Sequence, residues 1–470
     1  MRPDCQKCPS EIEQVISNGF CIGCGSCAAY DYAFSIEENG IGQYTATVQG
    51  TPKLDTSEVC PFAARENEDS ISKRLFSQDN NYDPRIGYFK GVYSGYVCDQ
   101  QLRRKSSSGG IVTWILKSLM RNRMIDGVVH VGATGLRGDL FAYRISRTEE
   151  DLENNTGSRY YPVHFDEVIA RIGANHSGRY AFVGVPCFVK AVRLLAEKDP
   201  NVKAMVKYCV AIFCGHLKSK GFAEMIAWQV GSAPGDLAGI DFRVKLAGRS
   251  ANQYAVAVLG ASGCSKEIKS FGPVPTRDLY GMDWGLGYFK PRACDWCDDI
   301  AGETADIACG DAWLPEFVAD PLGTSIVVVR NADLYALLTI GMDSGVIALQ
   351  EQAADRVFES QAGNYRHRRE GLSVRIERAE GAARWHPTKR VALGDFSVPA
   401  DRREIYVQRE KLAAVSHFAF REAKNRGSFP YFVFSMLPHE IKYYRLNRRL
   451  LRSFAKHIFL LLRHFSRIAK

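Results

Sequence analysis

Cysteine spacing near the N-terminus constrains this chain more than any other feature. Cys21-Ile-Gly-Cys24-Gly-Ser-Cys27 is C-x2-C-x2-C, and a fourth cysteine, Cys60, is followed by Pro61. Four thiolates in this order suit a cubane core, because three close ligands wrap one side and a distant fourth closes the loop. Gly23 and Gly25 suit a backbone that curls tightly and aims its amides at cluster sulfurs. Proline after the last cysteine also belongs to the bacterial ferredoxin pattern. Zinc is the competing reading. Cys5 and Cys8 form another C-x2-C, and with Cys21 and Cys24 they give a ribbon-like spacing. That reading strands Cys27 and leaves Cys60-Pro61 unexplained. A [4Fe–4S] cluster on Cys21, Cys24, Cys27 and Cys60 is therefore the expectation, and Cys5 and Cys8 are left without a role.

The chain has fourteen cysteines in 470 residues. Its start, MRPDCQKCPS, shows neither an apolar h-region nor a small-residue cleavage site. That favours the cytoplasm, where cysteines serve as metal ligands, catalytic thiols or small buried hydrophobes rather than as a disulfide framework. A net charge of +9 is mild at this length and does not argue for nucleic acid. No uninterrupted apolar window reaches about 18 residues, so no transmembrane helix is expected.

Four regions can be separated. Residues 1–80 are cysteine-dense and form a cluster module. Residues 85–235 alternate helical and strand-like runs: a helix from Ile111 to Met120, strands at Gly127–Val131, Tyr180–Val185 and Tyr208–Phe213, and a helix around Val189 to Glu197. This predicts a sheet with crossover helices. Residues 236–375 continue in mixed style, with strands at Ile240–Val244 and Ser325–Arg330. Residues 376–470 are basic, aromatic and helical in pattern. The expected class is α/β with α+β elements: a ferredoxin-like module, a mixed-sheet body and a basic helical tail.

A second set of cysteines lies deeper. Cys187 and Cys214 each follow a predicted strand, where a loop at the sheet's carboxyl edge presents ligands. Cys294-Asp-Trp-Cys297 has the two-residue gap that lets both sulfurs grip one metal. Spacing alone leaves this set open between a joint metal site, a redox pair and accident. Ser106-Ser107-Ser108-Gly109-Gly110 precedes an apolar helix, where amides face an anion such as a flavin phosphate, although plain loops also look like this. Ala305–Asp311 sets carboxylates beside a glycine turn, and a strand ending in a turn reads equally well there.

Taken together, these pieces resemble the family of coenzyme F420-reducing hydrogenase and dehydrogenase beta subunits, which includes 7-hydroxymethyl chlorophyll a reductase and bacterial proteins of exopolysaccharide gene neighbourhoods. The matching stretches are Cys21–Cys27 with Cys60-Pro61, Ser106–Gly110, Gly157-Ser158-Arg159-Tyr160, Val185-Pro186-Cys187, Phe213-Cys214-Gly215, Cys294–Cys297 leading to Asp311, and Arg366–Leu372. The resemblance implies an iron–sulfur flavoprotein oxidoreductase. FAD would be held by Ser106, Ser107, Ser108, Gly109, Gly110, Ser158, Arg159, Tyr160 and Asp311. Cys187, Cys214, Cys294 and Cys297 would be the ligands of a second cluster. Electrons would pass from a ferredoxin-like donor through the clusters to FAD, and on to a small organic substrate or to coenzyme F420. His164 and His216 are candidate proton donors. The alternatives are an electron-transfer subunit without its own substrate site, and a non-redox, zinc-stabilised assembly protein of a polysaccharide system.

The pattern fades after about residue 376. From Glu440 to Lys470 there are nine Lys/Arg against one acid, interleaved with Leu450, Leu451, Phe454, Ile458, Phe459, Leu461, Leu462, Phe465 and Ile468. Much of this apolar set shares one helical face, which suits a helix lying on an anionic membrane surface at the inner face of the membrane. Docking on the protein body, or on a partner, are the other readings.

Overall fold

In the computed structural model, which describes residues 10–175, 177–261 and 267–448, two glycines fix the path of the cysteine-rich segment. Gly23 and Gly25 take φ of +61° and +93°. A Cβ on Gly23 would sit 2.4 Å from the Tyr44 carbonyl oxygen. Only glycine turns the chain this tightly against its neighbours. The turn leads into a short helix, Ser26–Tyr30, followed by an antiparallel hairpin of Phe34–Glu38 with Tyr44–Val48. A 3₁₀ turn at Thr56–Val59 then delivers Cys60.

The body is a mixed α/β sheet of eight strands. From edge to edge they run Ile347–Glu351, Gly91–Val97, Ser325–Val329, Ile307–Asp311, Val206–Ile212, Tyr180–Gly184, Gly127–Ala133 and Phe141–Ser146. The four from Ile307–Asp311 to Gly127–Ala133 are mutually parallel, and each flanking strand pairs antiparallel with its neighbour. Tyr180–Gly184 and Ser325–Val329 are buried along their whole length. That is why they read as unbroken apolar, β-branched runs rather than as alternating ones. Period-two geometry deals successive residues to opposite faces. Val128, Ala181 and Val210 meet Ile111, Ile115 and Leu119 of the helix Ile111–Arg121 on one face. Val129, Phe182 and Ala211 meet Val189, Val192 and Leu195 of the helix Pro186–Lys198 on the other.

This second helix starts three residues earlier than expected. Pro186 takes its first position, where a fixed φ and a missing N–H cost nothing. Cys187 therefore sits in the first helical turn rather than in a loop. The sheet also draws strands from both the 85–235 and the 236–375 segments.

A smaller antiparallel sheet, Leu237–Val244, Ala255–Gly260 and Lys269–Pro275, shares a core with the helix Lys220–Val230 and with two long helices, Ala400–Asn425 and Phe429–Leu446. Leu412, Phe420, Phe429, Phe432 and Met436 bury into that core. This much of the basic C-terminal region docks on the protein body. The expected amphipathic run from Leu450 onward lies outside the described residues. No helix among the described residues is long and apolar enough to cross a membrane.

Candidate functional site

The two cysteine sets are each gathered in the fold. Cys21, Cys24, Cys27 and Cys60 come together from the glycine turn and the 3₁₀ turn. Burial, together with their neighbours' charge, pushes the Cys24 and Cys27 thiols well up and Cys60 to about 11. The amides of Gly23 and Ala46 donate to Cys21 Sγ at 3.4 and 3.3 Å. Cys187, Cys214, Cys294 and Cys297 meet likewise from three segments. Burial and mutual charge raise Cys187, take Cys214 to about 11 and take Cys294 to about 12. The Leu217 amide donates to Cys294 Sγ at 3.2 Å, and Arg368 donates to Cys297 Sγ.

Crowded buried thiols, met by N–H donors, are a donor set that a cationic inorganic core fits, because its charge displaces the thiol protons. Among the described residues no three His, Cys, Asp or Glu side chains stand close enough to share a single metal ion.

Both sets reach one cleft of about 640 Å³, whose lining includes Cys21 and Cys214. The cleft lies outside the carboxyl ends of the parallel strands, lined by Gly184, Val185, Phe213, Gly310 and Asp311. This is where open α/β sheets present ligands. Eight of the nine expected flavin contacts line it: Ser106, Ser107, Ser108, Gly110, Ser158, Arg159, Tyr160 and Asp311. Gly109 lies beneath the loop instead, where a Cβ would meet the Gly95 carbonyl oxygen at 2.4 Å. Gly110, at φ +86°, caps the helix Ile111–Arg121 without a side-chain bond. Ile111, Val112 and Thr113 of its first turn line the cleft. The serines are partly committed: Ser106 Oγ donates to the Leu102 carbonyl at 2.8 Å, and Ser107 and Ser158 share a bond of 2.9 Å.

Two residues here were not anticipated from the sequence: Arg243, which lines the cleft, and Lys245, which bonds the Ser108 carbonyl of the Ser106–Gly110 loop. Arg243 donates both arms of its fork to Asp311 at 2.7 and 3.0 Å, so that carboxylate faces the cleft already paired. Lys245 Nζ donates to the carbonyls of Arg103, Ser108 and Leu322 at 2.5, 3.0 and 2.6 Å. Burial, then Arg103 and Arg243, lowers its pKa to about 8. Arg159 is half-buried over the Phe141 ring, and its Nε has no hydrogen-bond partner among the described residues. Arg243 sits in an alternating strand, and a cation inside such a run was the available signal.

The two candidate histidines separate. His216 lines the cleft 4.5 Å from the Trp284 ring, and its Nε2 has no partner among the described residues. Burial, then Lys218, lowers its pKa well below the usual range, so the ring is neutral. His164 is bonded to Asp166 and meets the Tyr44 ring at 4.9 Å.

Two cysteine sets opening on one cleft at a sheet's carboxyl edge define a protein of the α/β class with two candidate metal-ligand sets. The chain belongs to the coenzyme F420 hydrogenase/dehydrogenase beta subunit family: the family's N-terminal model matches residues 92–170 and its C-terminal model residues 177–355. It is 22% identical over 265 residues to the coenzyme F420 hydrogenase subunit beta of Methanococcus voltae, covering 56% of this chain and 84% of that protein. It is 23% identical over 347 residues to the coenzyme F420-dependent sulfite reductase of Methanocaldococcus jannaschii, covering 68% of this chain and 46% of that protein. Among solved structures, the F420-reducing [NiFe] hydrogenase complex from Methanosarcina barkeri aligns with a TM-score of 0.47 at 18% identity, over 65% of this chain and 97% of that one. These relatives are redox enzymes or subunits, and this chain is an oxidoreductase in that general sense.

Proposed function

We propose that the chain is an iron–sulfur flavoprotein. It would take electrons from a ferredoxin-like donor, pass them through two [4Fe–4S] clusters to FAD, and reduce a small organic substrate or a deazaflavin such as coenzyme F420. The observation that carries this reading is the single cleft that receives Cys21 of one thiol set and Cys214 of the other, beside the Ser106–Gly110 loop. When bound, such clusters supply one-electron steps and a flavin pairs them for hydride chemistry.

The chain's own contribution is binding and orientation. The free first-turn amides after Gly110, with Lys245 and Arg159 nearby, suit a dinucleotide's phosphates. Tyr160 and Trp284, whose rings meet edge to face at 5.0 Å, offer aromatic surface to the rest of the cleft. His216, neutral and unpartnered, is left to hydrogen-bond a substrate.

A second reading is an electron-transfer subunit that works with a catalytic partner. The match to a hydrogenase beta subunit over 84% of its length favours it. A link to polysaccharide synthesis rests on the family resemblance alone, and so does contact of the C-terminal segment with a membrane surface.

Anaerobic purification of the full chain, with iron, sulfide, zinc and flavin analysis, tests the reading. Its expected result is about eight irons for two four-iron clusters, with one FAD. Four irons would retire one set, and zinc without iron would overturn the account. Turnover of a deazaflavin with reduced ferredoxin then separates an enzyme from a subunit.

A further inference from the structure

Arg368 stands where the ligand segments of the second thiol set meet. Its side chain is fully buried. The guanidinium donates to the carbonyl oxygens of Cys297 at 2.8 Å, Asp299 at 2.9 Å and Gly215 at 3.3 Å, to that of Cys214, and to Cys297 Sγ. One side chain thus ties the Cys214 loop to the Cys294–Cys297 loop. All of these acceptors are carbonyls except one, and that one is a sulfur.

A buried cation persists only against a counter-charge. The one acceptor here that can carry that charge is the Cys297 sulfur, as the thiolate that a metal core would bind. The neighbouring acids are engaged elsewhere. Asp299 turns its carboxylate to the amides of Gly302 and Glu303, at 2.7 and 3.0 Å. Asp295 is paired with Lys290 and Arg375.

Among the described residues, the hydrogen bonds reaching first-set sulfurs come from backbone amides and not from a cationic side chain. Asp166 adds negative charge at Cys24. Lys190, near Cys60, is itself 3.2 Å from Glu68.

We propose that Arg368 is a positioning residue that fastens the ligand segments of the second centre and, by its charge, makes that centre the more readily reduced of the two. An electron delivered at the Cys21–Cys60 set then moves to the Cys187–Cys297 set: the first is oxidised by one electron, the second is reduced by one, and no bond or proton changes hands. The physical reason is that reduction adds negative charge, which a nearby buried cation favours in a low-dielectric site. The inference rests on the two-cluster reading above.

The test is an EPR-monitored redox titration of the full, cluster-loaded chain, with iron and sulfide counted on each sample. Arg368→Gln keeps a donor and removes the charge. Its expected effect is a fall of at least tenfold in the reduced-to-oxidised ratio of the higher-potential centre at fixed potential, equivalent to about 59 mV for a one-electron couple. The lower centre stays in place. Arg368→Lys restores most of the shift.

Unchanged midpoints in Arg368→Gln with all eight irons retained would overturn the proposal, as would an equal shift in Arg368→Lys. Should the glutamine variant lose its second cluster, Cys24→Ala decides the ordering with Arg368 intact: the surviving signal must be the higher-potential one, and survival of the lower one refutes the assignment. Four irons in the unaltered chain would instead sink the two-cluster reading itself.

Discussion

Replacing Gly23 with alanine tests whether the first cysteine loop is held by geometry that only glycine allows. Two costs can be separated. The backbone at φ +61° is left-handed, which costs a side chain roughly 1–2 kcal/mol. The new Cβ would also lie 2.4 Å from the Tyr44 carbonyl oxygen and 2.5 Å from its Cβ. Because backbone cannot swing aside as a side-chain tip can, overpacking adds about 1–3 kcal/mol. The sum, about 2–5 kcal/mol, is a large fraction of the 5–15 kcal/mol that typically holds a domain together.

Gly19 supplies the control, since it has φ +72° and nothing within 4 Å of an added Cβ. Gly19→Ala pays only the backbone term. Urea melts of both variants, with iron counted per chain, isolate the contact. Gly23→Ala is expected to be at least 1 kcal/mol less stable than Gly19→Ala, in line with that overpacking term, and to lose first-set iron. Equal stability with full iron would show that the Tyr44 strand does not pin the loop.

Lys245 predicts a pH dependence of the flavin binding proposed above. Below about 8 its ammonium is charged and donates to the Ser108 carbonyl in the Ser106–Gly110 loop, so in the proposed flavoprotein FAD release, followed by fluorescence, should rise as pH climbs through about 8 and be flat in Lys245→Met. The linkage has the opposite sign for folding. A lysine lowered from about 10.4 binds its proton less tightly when folded, so this group's contribution to stability grows between about 8 and 10.4. Arg243→Met leaves Asp311 without its fork and is expected to cost about 3 kcal/mol, the lower end for breaking a buried pair. Adding Asp311→Asn should recover most of that in a urea melt, and no recovery would mean that charge is not the reason. Vesicle flotation of the full chain against one ending at Arg448 tests the C-terminal segment on anionic lipid; equal flotation would discard membrane contact through it.

The features legible in the sequence are those encoded over short distances. C-x2-C-x2-C specifies a tight turn from its own residues, and β-branched runs such as Ser325–Val329 announce strands buried on both faces. What escaped depends on distant segments meeting. Lys245 reaches Ser108 across 137 residues, and Arg368 reaches the Cys214 carbonyl across 154.

Arg368 shows why such a residue is hidden. In the sequence, Arg366–Leu372 matches the family without assigning Arg368 a role; the segment Arg366–Glu370 forms a π-helical turn, and His367 and Arg368 are buried within it. An ordinary α-helix advances 100° per residue. The wider turn changes which side chains face inward, so a hydrophobic-periodicity argument based on 3.6 residues per turn assigns the wrong face. Such turns are rare and occur mostly where a function needs them. Here the turn aims a guanidinium at four carbonyls and a cysteine sulfur, so the local irregularity and the charge at the second thiol set are parts of one arrangement.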